Sequence, residues 1–284
     1  MEPFVQNAET PMQLLLEPWQ AQHKRITAGF TSRQGGQSRE PFHSLNCAFH
    51  VGDESGDVIA NRRALAKSLG FTLADWTCGE QTHGAEIAVV RQTDRGRGSL
   101  DREAAFQATD GMVTDVPGVL LTSFYADCVP LYFYDPAHQA VGLAHAGWKG
   151  TVAEIAAVTV NTMREAYGTR PQDLLAAIGP SIGDCCYEVD EPVMKHIRRL
   201  EQDLEPFLPA GQKGPLYHSS VKDGKSMLNL KEMNRRIMIK AGILPTHIEC
   251  TTWCTSCNTD LFFSYRQENG KTGRMTSWIG IKES

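Results

Sequence analysis

The sequence has few of the features that would commit it to a nucleic acid or a membrane. Its 284 residues carry a formal net charge of −5, and no run of lysine and arginine could follow a nucleic-acid backbone. Its apolar runs are much shorter than the roughly 20 residues of a membrane helix, and the first residues lack the basic region of a secretory signal. We therefore predict a cytoplasmic protein that binds neither nucleic acid nor a membrane.

Several sequence motifs with well-understood chemistry are also missing. Neither G-x-x-x-x-G-K-[ST] nor G-x-G-x-x-G occurs, so the common nucleotide-binding loops are excluded. The nine histidines are scattered and include no H-x-H pair of the kind that holds a trinuclear copper cluster. The eight cysteines lie in apolar runs or turns and not at the spacing of a disulfide framework, so we predict reduced thiols.

What the sequence does contain is an alternation of helical and extended patterns. Helical spacing of apolar residues predicts helices over 57–69, 152–167, 191–200 and 231–241. Extended apolar runs predict strands over 26–33, 85–90, 110–114, 119–125, 140–144, 174–178, 248–252, 262–265 and 275–281. Because no linker or repeat interrupts this order, we predict one mixed α/β domain over 26–284, preceded by a loosely patterned lead-in over 1–25.

Three side chains stand beside turns at the ends of strand-like runs, where α/β proteins tend to place their chemistry. They are His83, Cys128 and His145. A thiolate and two neutral imidazoles are typical zinc ligands, and three protein ligands with an open position describe a catalytic zinc site. From residue types alone, Cys128 and His145 could equally form a nucleophile and base pair, or all three could be structural.

Two further motifs allow a functional and a structural interpretation. Cys254 and Cys257 have the C-x-x-C spacing of a redox or zinc pair, but no second pair is suitably spaced, so buried structural thiols are favoured. The adjacent Cys185 and Cys186 are not expected to chelate one ion together. Thr31-Ser32-Arg33-Gln34-Gly35-Gly36 could hold an anion through arginine and turn amides, or be an ordinary glycine turn.

A series of short motifs runs from about residue 26 to the end of the chain. The N-terminal motifs are Thr31-Ser32-Arg33, Ser44-Leu45-Asn46, His50-Val51-Gly52-Asp53 and Asn61-Arg62. The central motifs are Gln81-Thr82-His83-Gly84, Thr109-Asp110-Gly111, Ala126-Asp127-Cys128-Val129-Pro130 and His145-Ala146-Gly147-Trp148-Lys149-Gly150. The last are Ile178-Gly179-Pro180-Ser181-Ile182, Cys186-Tyr187-Glu188-Val189 and Phe262-Phe263-Ser264-Tyr265-Arg266. Together they resemble the bacterial family long described as multicopper polyphenol oxidoreductase or laccase-like, and since reassigned as purine nucleoside phosphorylase.

The resemblance implies a fold, a metal and an activity. The fold is an α/β (α+β) single-domain sandwich of several layers, with mixed β-sheets flanked by helices. The metal is zinc, with copper possible at the same ligands, which the resemblance places on His83, Cys128 and His145. The activities are phosphorolysis of adenosine, inosine, guanosine and methylthioadenosine to the free base and (methylthio)ribose 1-phosphate, and hydrolytic deamination of adenosine. The chain departs from the family at Cys47 and Ala48, usually leucine and glycine, and at Asn229, where aspartate is common.

Motif positions suggest further contacts to purine nucleosides and inorganic phosphate. Arg33 and Lys149 are candidates for the phosphate, because phosphorolysis needs cations that bind the attacking anion. Asn46 or Gln81 could contact the sugar or the base edge. Asp127 adjoins a proposed ligand, but strand alternation would point neighbouring side chains to opposite faces, so we expect it to act only indirectly.

Three other functions are compatible with the same residues. Two histidines and a cysteine match a blue-copper ligand set, so a copper-dependent polyphenol oxidase is one alternative. A metal-free cysteine hydrolase, with Cys128 as nucleophile and His145 as base, is another. The third is a non-enzymatic, zinc-stabilised binding protein of the cell envelope.

Overall fold

The computed structural model describes residues 1–209 and 214–283, and within them two large sheets dominate. The first has the spatial order β1 (Phe4–Gln6), β2 (Gln13–Leu16), β3 (Ile26–Thr31), β15 (Met275–Ile281), β7 (Leu120–Tyr125) and β4 (Trp76–Cys78). The second has the order β14 (Ile248–Cys250), β10 (Leu175–Ile178), β8 (Val129–Asp135), β9 (Ala140–Ala146), β6 (Gly111–Thr114) and β5 (Ile87–Val89). A small third sheet has the order β11 (Glu188–Asp190), β13 (Lys225–Leu228) and β12 (Tyr217–Ser219).

The two large sheets pack face to face and helices cover their outer faces. The helices are α1 (Glu17–Gln22), α2 (Ser55–Ser68), α3 (Trp148–Val152), α4 (Ile155–Tyr167), α5 (Glu191–Leu204) and α6 (Leu230–Lys240). Side chains of both sheets form a shared core between them. A second core joins the second sheet to α4, α5 and α6, and a third joins the first sheet to α2. The mixed α/β sandwich predicted from the sequence is confirmed.

Strand alternation explains why the central strands are apolar along their whole length. In β8, Leu131 and Phe133 contact the helix-side core, whereas Tyr132 and Tyr134 contact the core between the sheets. Successive side chains of a strand point to opposite faces, so a strand covered on both sides needs apolar residues at every position. All seven residues of β8 and all seven of β9 are buried.

The structure corrects several predicted elements. Residues 262–265, predicted as a strand, lie in a loop without regular secondary structure. The predicted helix over 152–167 is divided, because Glu154 has a left-handed backbone (φ 54°) that ends α3 and starts α4. Strand β8 was not predicted. Residues 1–25 contain β1, β2 and α1, and β2 pairs with β3.

No helix in the described part of the chain is long and apolar enough to span a membrane.

Candidate metal centre

Two loops and the end of one strand, at one end of the sandwich, bring the predicted ligands together. His83 lies between β4 and β5, Cys128 lies between β7 and β8, and His145 is the penultimate residue of β9. Because β8 and β9 are antiparallel, with Pro130 opposite His145, the start of one strand adjoins the end of the other. One ligand atom from each of the three residues lies within 4.8 Å of the others. The three residues therefore lie close enough together to share one ion.

The carboxylate of Asp110 orients both histidines. Its Oδ1 accepts from the backbone N–H of His83 (2.8 Å) and lies 3.0 Å from Nδ1 of His145, while Oδ2 accepts from the N–H of Gly84 (2.8 Å). The side chains of Asp110 and His145 are buried, with 0% and 3% exposed. An ionised carboxylate accepts and cannot donate, so Nδ1 of His145 carries the proton. Nε2 is thereby left free to act as a ligand.

The charges in the site favour a thiolate. Burial by itself would raise the pKa of the Cys128 thiol, but the charge of His145 and hydrogen bonds from both histidines outweigh burial and lower that pKa. Burial likewise opposes the charge on His145, and the thiolate and Asp110 raise its pKa instead. For Asp110, the hydrogen bond and charge of His145 overcome burial and lower the pKa to about 2. The thiolate is the form of cysteine that binds metals.

Local backbone features let the ligands approach closely. His83 and Asp127 both have left-handed backbones, with φ of 64° and 88°, a conformation that persists where surrounding contacts hold it. Gly147 follows β9, and a Cβ there would come within 2.9 Å of Cδ2 of His83 and 3.2 Å of Sγ of Cys128. Position 147 therefore has no room for a side chain unless the ligands move.

The donor set fits a zinc ion. Two imidazoles and one thiolate converge. Histidine and cysteine are typical zinc ligands, and three protein ligands leave one coordination position open. The second nitrogen of His145 is bound by a carboxylate, which is the usual arrangement around a metal-binding histidine. Copper accepts the same ligands, so the donor set alone does not choose between the two metals.

A cavity of about 450 Å³ opens beside the three ligands. Aromatic side chains that line it are Phe124, Trp148, Tyr187 and Tyr265. Two cations, Arg266 and Arg274, line it as well. An adjoining cavity of about 290 Å³ shares Cys128 and Trp148 and adds Lys149. Together they form a concave site with apolar walls and a few charged groups, which suits a small polar ligand.

Three of the other predicted site residues lie at these cavities. The amide of Gln81 lines the larger one, where it donates to and accepts from the backbone of Phe124. Lys149 lines the smaller one. Asp127 lines both, because its left-handed backbone breaks the strand alternation that we had expected to turn it away.

The remaining two predicted contacts, Arg33 and Asn46, do not line either cavity. The guanidinium of Arg33 donates to carbonyl groups and forms an ion pair with Glu268 (3.0 Å). Asn46 is fully buried, and its amide donates to Asp53 (2.8 Å). In the described structure both side chains are occupied by contacts within the protein.

Sequence reasoning missed four residues that the structure places at the site. Asp110, His50 and Arg266 lie within motifs that were recognised, but the motifs did not reveal their roles. Arg274 lies in no recognised motif, so no pattern pointed to it. Burial, with the charge of Arg274 as the next cause, lowers the pKa of His50 to about 4, so His50 is neutral at neutral pH.

The chain is similar to known proteins over nearly its whole length. The family model described as multi-copper polyphenol oxidoreductase laccase matches residues 27–282. A protein named purine nucleoside phosphorylase YlmD from Geobacillus stearothermophilus is 46% identical over 256 residues, which are 90% of each chain. The protein of the same name from Bacillus subtilis is 41% identical over 278 residues, covering 97% of this chain and 96% of its own.

The chain is also similar in fold to solved structures. The crystal structure of the Bacillus licheniformis hypothetical protein YfiH has a TM-score of 0.90 and 45% identity, and the match covers 99% of this chain and all of the other. The family match and these identities cover nearly the whole chain. The protein therefore belongs to the family described as multi-copper polyphenol oxidoreductase laccase, whose relatives named above are called purine nucleoside phosphorylases.

Proposed function

We propose that this protein is a zinc-dependent purine nucleoside phosphorylase that binds its substrates in the cavity beside His83, Cys128 and His145. The observation that carries the proposal is the combination of a converging ligand trio, aromatic walls and cationic groups in one cavity. Relatives that share 41–46% of their residues with this chain bear the name of that activity. The proposed substrates are adenosine, inosine, guanosine and methylthioadenosine, together with inorganic phosphate.

The three ligands would hold the zinc ion, which supplies Lewis acidity and the ability to activate water at neutral pH. Asp110 fixes the ring of His145 and the backbone at His83, so the ligand geometry is set before substrate arrives. Preorganised ligands avoid a reorganisation cost during the reaction.

The cationic groups at the cavity suit the phosphate. Arg266, Arg274 and Lys149 line its walls, and arginine forks match the oxygens of a phosphate. Arg274 is held by two backbone carbonyls, those of Thr272 (2.8 Å) and Gly273 (3.0 Å), through one of its nitrogens. These cations would place the anion next to the sugar, where it attacks C1′ as the bond to the base breaks.

The aromatic walls and neutral His50 suit the nucleoside. Trp148, Tyr187 and Tyr265 offer flat apolar faces on which a purine can stack. A neutral imidazole both donates and accepts hydrogen bonds, so His50 could contact the edge of the base. The departing base needs a proton donor, and a group that contacts the edge of the base could fill this role.

We propose that the same site deaminates adenosine. That reaction needs an activated water near C6 of the base and a group that moves a proton. Asp127 lines the cavity next to Cys128 and is the carboxyl group closest in sequence to a ligand. Its oxygens accept hydrogen bonds from Thr255 (2.6 Å) and from the backbone N–H of Arg266 (2.7 Å), which hold it in place.

The test is an assay of the purified protein with adenosine in the presence and absence of phosphate. We expect adenine and ribose 1-phosphate only with phosphate, and inosine in either case. Cys128→Ala should reduce phosphorolysis at least about 100-fold, a loss typical of removing transition-state charge stabilisation. Cys250→Ala removes a thiol outside the site and should leave the activity unchanged. Absence of any purine product from zinc-loaded protein would contradict the proposal.

The description of the family model favours a copper oxidase as a second candidate. Among the described residues, however, histidines take part in just one group that could hold a metal, and that group contains two of them. A trinuclear copper cluster needs many more. Oxidation of phenols by copper-loaded protein, with no turnover of nucleosides, would support this candidate over the phosphorylase.

A further inference from the structure

A second cluster of metal-ligand side chains lies outside the proposed active site. Its members are Cys185, Cys186, Cys254 and Cys257, which are grouped here as the four-cysteine cluster. The sequence interpretation had treated Cys254 and Cys257 as an isolated pair of buried thiols. In the structure Cys257 and Cys185 are exposed, and the two pairs meet although they are about 70 positions apart in the chain.

The sulfur atoms converge on one point. Sγ of Cys257 lies 3.5 Å from Sγ of Cys185 and 3.3 Å from Sγ of Cys186, and all four sulfurs lie within 4.8 Å of one another. The sulfurs of a tetrahedral zinc site with bonds of about 2.3 Å lie roughly 3.8 Å apart. The two measured separations are slightly shorter than that value, and all the others lie within 4.8 Å. Both of the adjacent cysteines contribute, which we had not expected.

The surrounding backbone is shaped to hold these sulfurs. The N–H of Gly183 donates to Sγ of Cys254 (3.1 Å), a contact that favours a thiolate. A Cβ at position 183 would come within 3.1 Å of Sγ of Cys185 and 3.4 Å of Sγ of Cys254. Glycine at this position lets the loop pass close to two of the four sulfurs.

We propose that the four-cysteine cluster binds a structural zinc ion. Four thiolates and no open position are the ligand set of structural zinc sites, in contrast to the three-ligand centre beside the cavity. A tetrahedral set of four sulfurs selects zinc or iron, and the short distances leave room for one ion and not for an iron–sulfur core. A disulfide would need only two of the four cysteines and would not account for the convergence of all of them.

The zinc ion would connect two loops that shape the active-site cavity. One loop follows β10 and contributes Ile182 and Tyr187 to the cavity wall. The other follows β14 and contributes Thr255, whose hydroxyl donates to Asp127. The two loops already touch, since the N–H of Thr255 donates to the carbonyl of Ser181 (3.1 Å). A metal ion that links the two loops would stabilise this hydrogen bond. It would thereby also fix the position of the cavity wall.

The experiment is a count of zinc per chain in protein purified without added metal or chelator. We expect about two zinc ions in the wild type, one in Cys257→Ser and one in His83→Ala/Cys128→Ala. Cys250→Ser, a nearby cysteine outside the cluster, should retain two. Cobalt substitution adds a spectroscopic signature, because a four-thiolate site gives a strong thiolate-to-cobalt charge-transfer band, which Cys257→Ser should lose.

Three results would overturn the proposal. The first is equal zinc content in Cys257→Ser and the wild type. The second is a disulfide between two of the four cysteines, found by mass spectrometry of the unreduced protein. The third is a wild type with one zinc that is absent from His83→Ala/Cys128→Ala. If Cys257→Ser does not fold, Cys185→Ser, which alters an exposed member of the cluster, replaces it. The active-site proposal is judged separately, because its failure removes nucleoside turnover and not the cluster's zinc.

Discussion

At the scale of single residues, Asp110 is the carboxylate that contacts both histidines of the candidate metal centre. It is buried and reaches both histidines at once, one through its ring and one through its backbone. Its motif was recognised in the sequence, but its role could not be read there because Asp110 is 27 positions from one histidine and 35 from the other. The contact with His145 follows from the pairing of β6 with β9, which a single sequence does not reveal.

Asp110→Asn tests this role. An amide of the same size can turn its N–H₂ toward the histidine or the backbone donors, so the hydrogen bonds that orient the ligands are lost. We expect zinc affinity to fall by about 10–100-fold, as for other outer carboxylates of metal sites. A competition titration with a zinc chelator measures this affinity, and Asp115→Asn, which changes an exposed aspartate immediately after β6, is the control. Unchanged affinity in Asp110→Asn would contradict the assignment.

His50 allows a prediction about pH. Burial and Arg274 lower its pKa in the folded protein to about 4, below the ordinary value of 6.5. The unfolded chain therefore binds a proton at this residue between pH 6.5 and 4 that the folded protein does not, so stability is lost as the pH falls through this range. Because His50 is exposed to solvent, screening reduces the size of the effect.

We expect His50→Gln to flatten the decrease in stability between pH 6.5 and 4 and to change nothing above pH 7. Urea unfolding at several pH values measures the free energy, and NMR titration of the His50 ring gives the pKa directly. His218→Gln, at an exposed position on the three-stranded sheet, serves as the control. A His50 ring that titrates near pH 6.5 would show that its surroundings do not disfavour the charged form.

At the scale of elements, the sequence predicted best those segments that are buried along their whole length or end at a clear stop signal. Strand β15 was predicted over 275–281, the range that the structure shows, because all seven of its residues are buried. Helix α4 ends at Gly168, whose left-handed backbone (φ 75°) is the stop that the sequence indicated. The break before α4 was missed, because glutamate at position 154 gives no signal for a left-handed backbone.

Asn229 is a departure from the family pattern that the structure explains. It is the N-cap of α6, where its side-chain oxygen accepts from the backbone N–H of Glu232 (2.9 Å). Asparagine and aspartate cap helices about equally well, so the common Leu-Asp-Leu pattern and the sequence found here serve the same purpose.

Asn229→Ala should lower the free energy of unfolding by about 1 kcal/mol, because the capping hydrogen bond is lost. Asn229→Asp keeps the cap and should cost less, although it places a carboxylate near Asp184 (3.5 Å from the Asn229 amide). Chemical denaturation of the three proteins measures the difference. An alanine variant as stable as the wild type would mean that the cap contributes nothing to α6.

At the scale of the whole molecule, the sandwich and the grouping of His83, Cys128 and His145 could be anticipated, but the walls of the cavity could not. The ligands stand at the ends of predicted strands, so their convergence follows from the topology of the sheets. The cavity walls come from loops distant in sequence, such as those carrying Tyr187 and Arg274. Arg33 shows what the sequence could not reveal. Its motif suggested that it binds a phosphate, whereas the structure pairs it with Glu268.

The first 25 residues form part of the core, although their apolar runs were too short to be recognised as elements in the sequence. Phe4, Leu14, Leu16 and Trp19 are all buried between the two large sheets. Burying a side chain of this size contributes about 1.5–3 kcal/mol, so the four together contribute roughly 6–12 kcal/mol. This is comparable with the whole stability of a typical domain, about 5–15 kcal/mol.

We therefore expect that a chain lacking residues 1–25 neither folds cooperatively nor stays in solution. Loss of residues 1–25 also uncovers the edge of β3, which would then offer unpaired backbone groups to other chains. Within the full chain, Trp19→Ala should cost about 3–5 kcal/mol, whereas Leu100→Ala, at a half-exposed position, should cost much less. Thermal unfolding and size-exclusion chromatography measure these effects. A truncated protein that melts cooperatively within a few degrees of the full chain would show that the lead-in is dispensable after all.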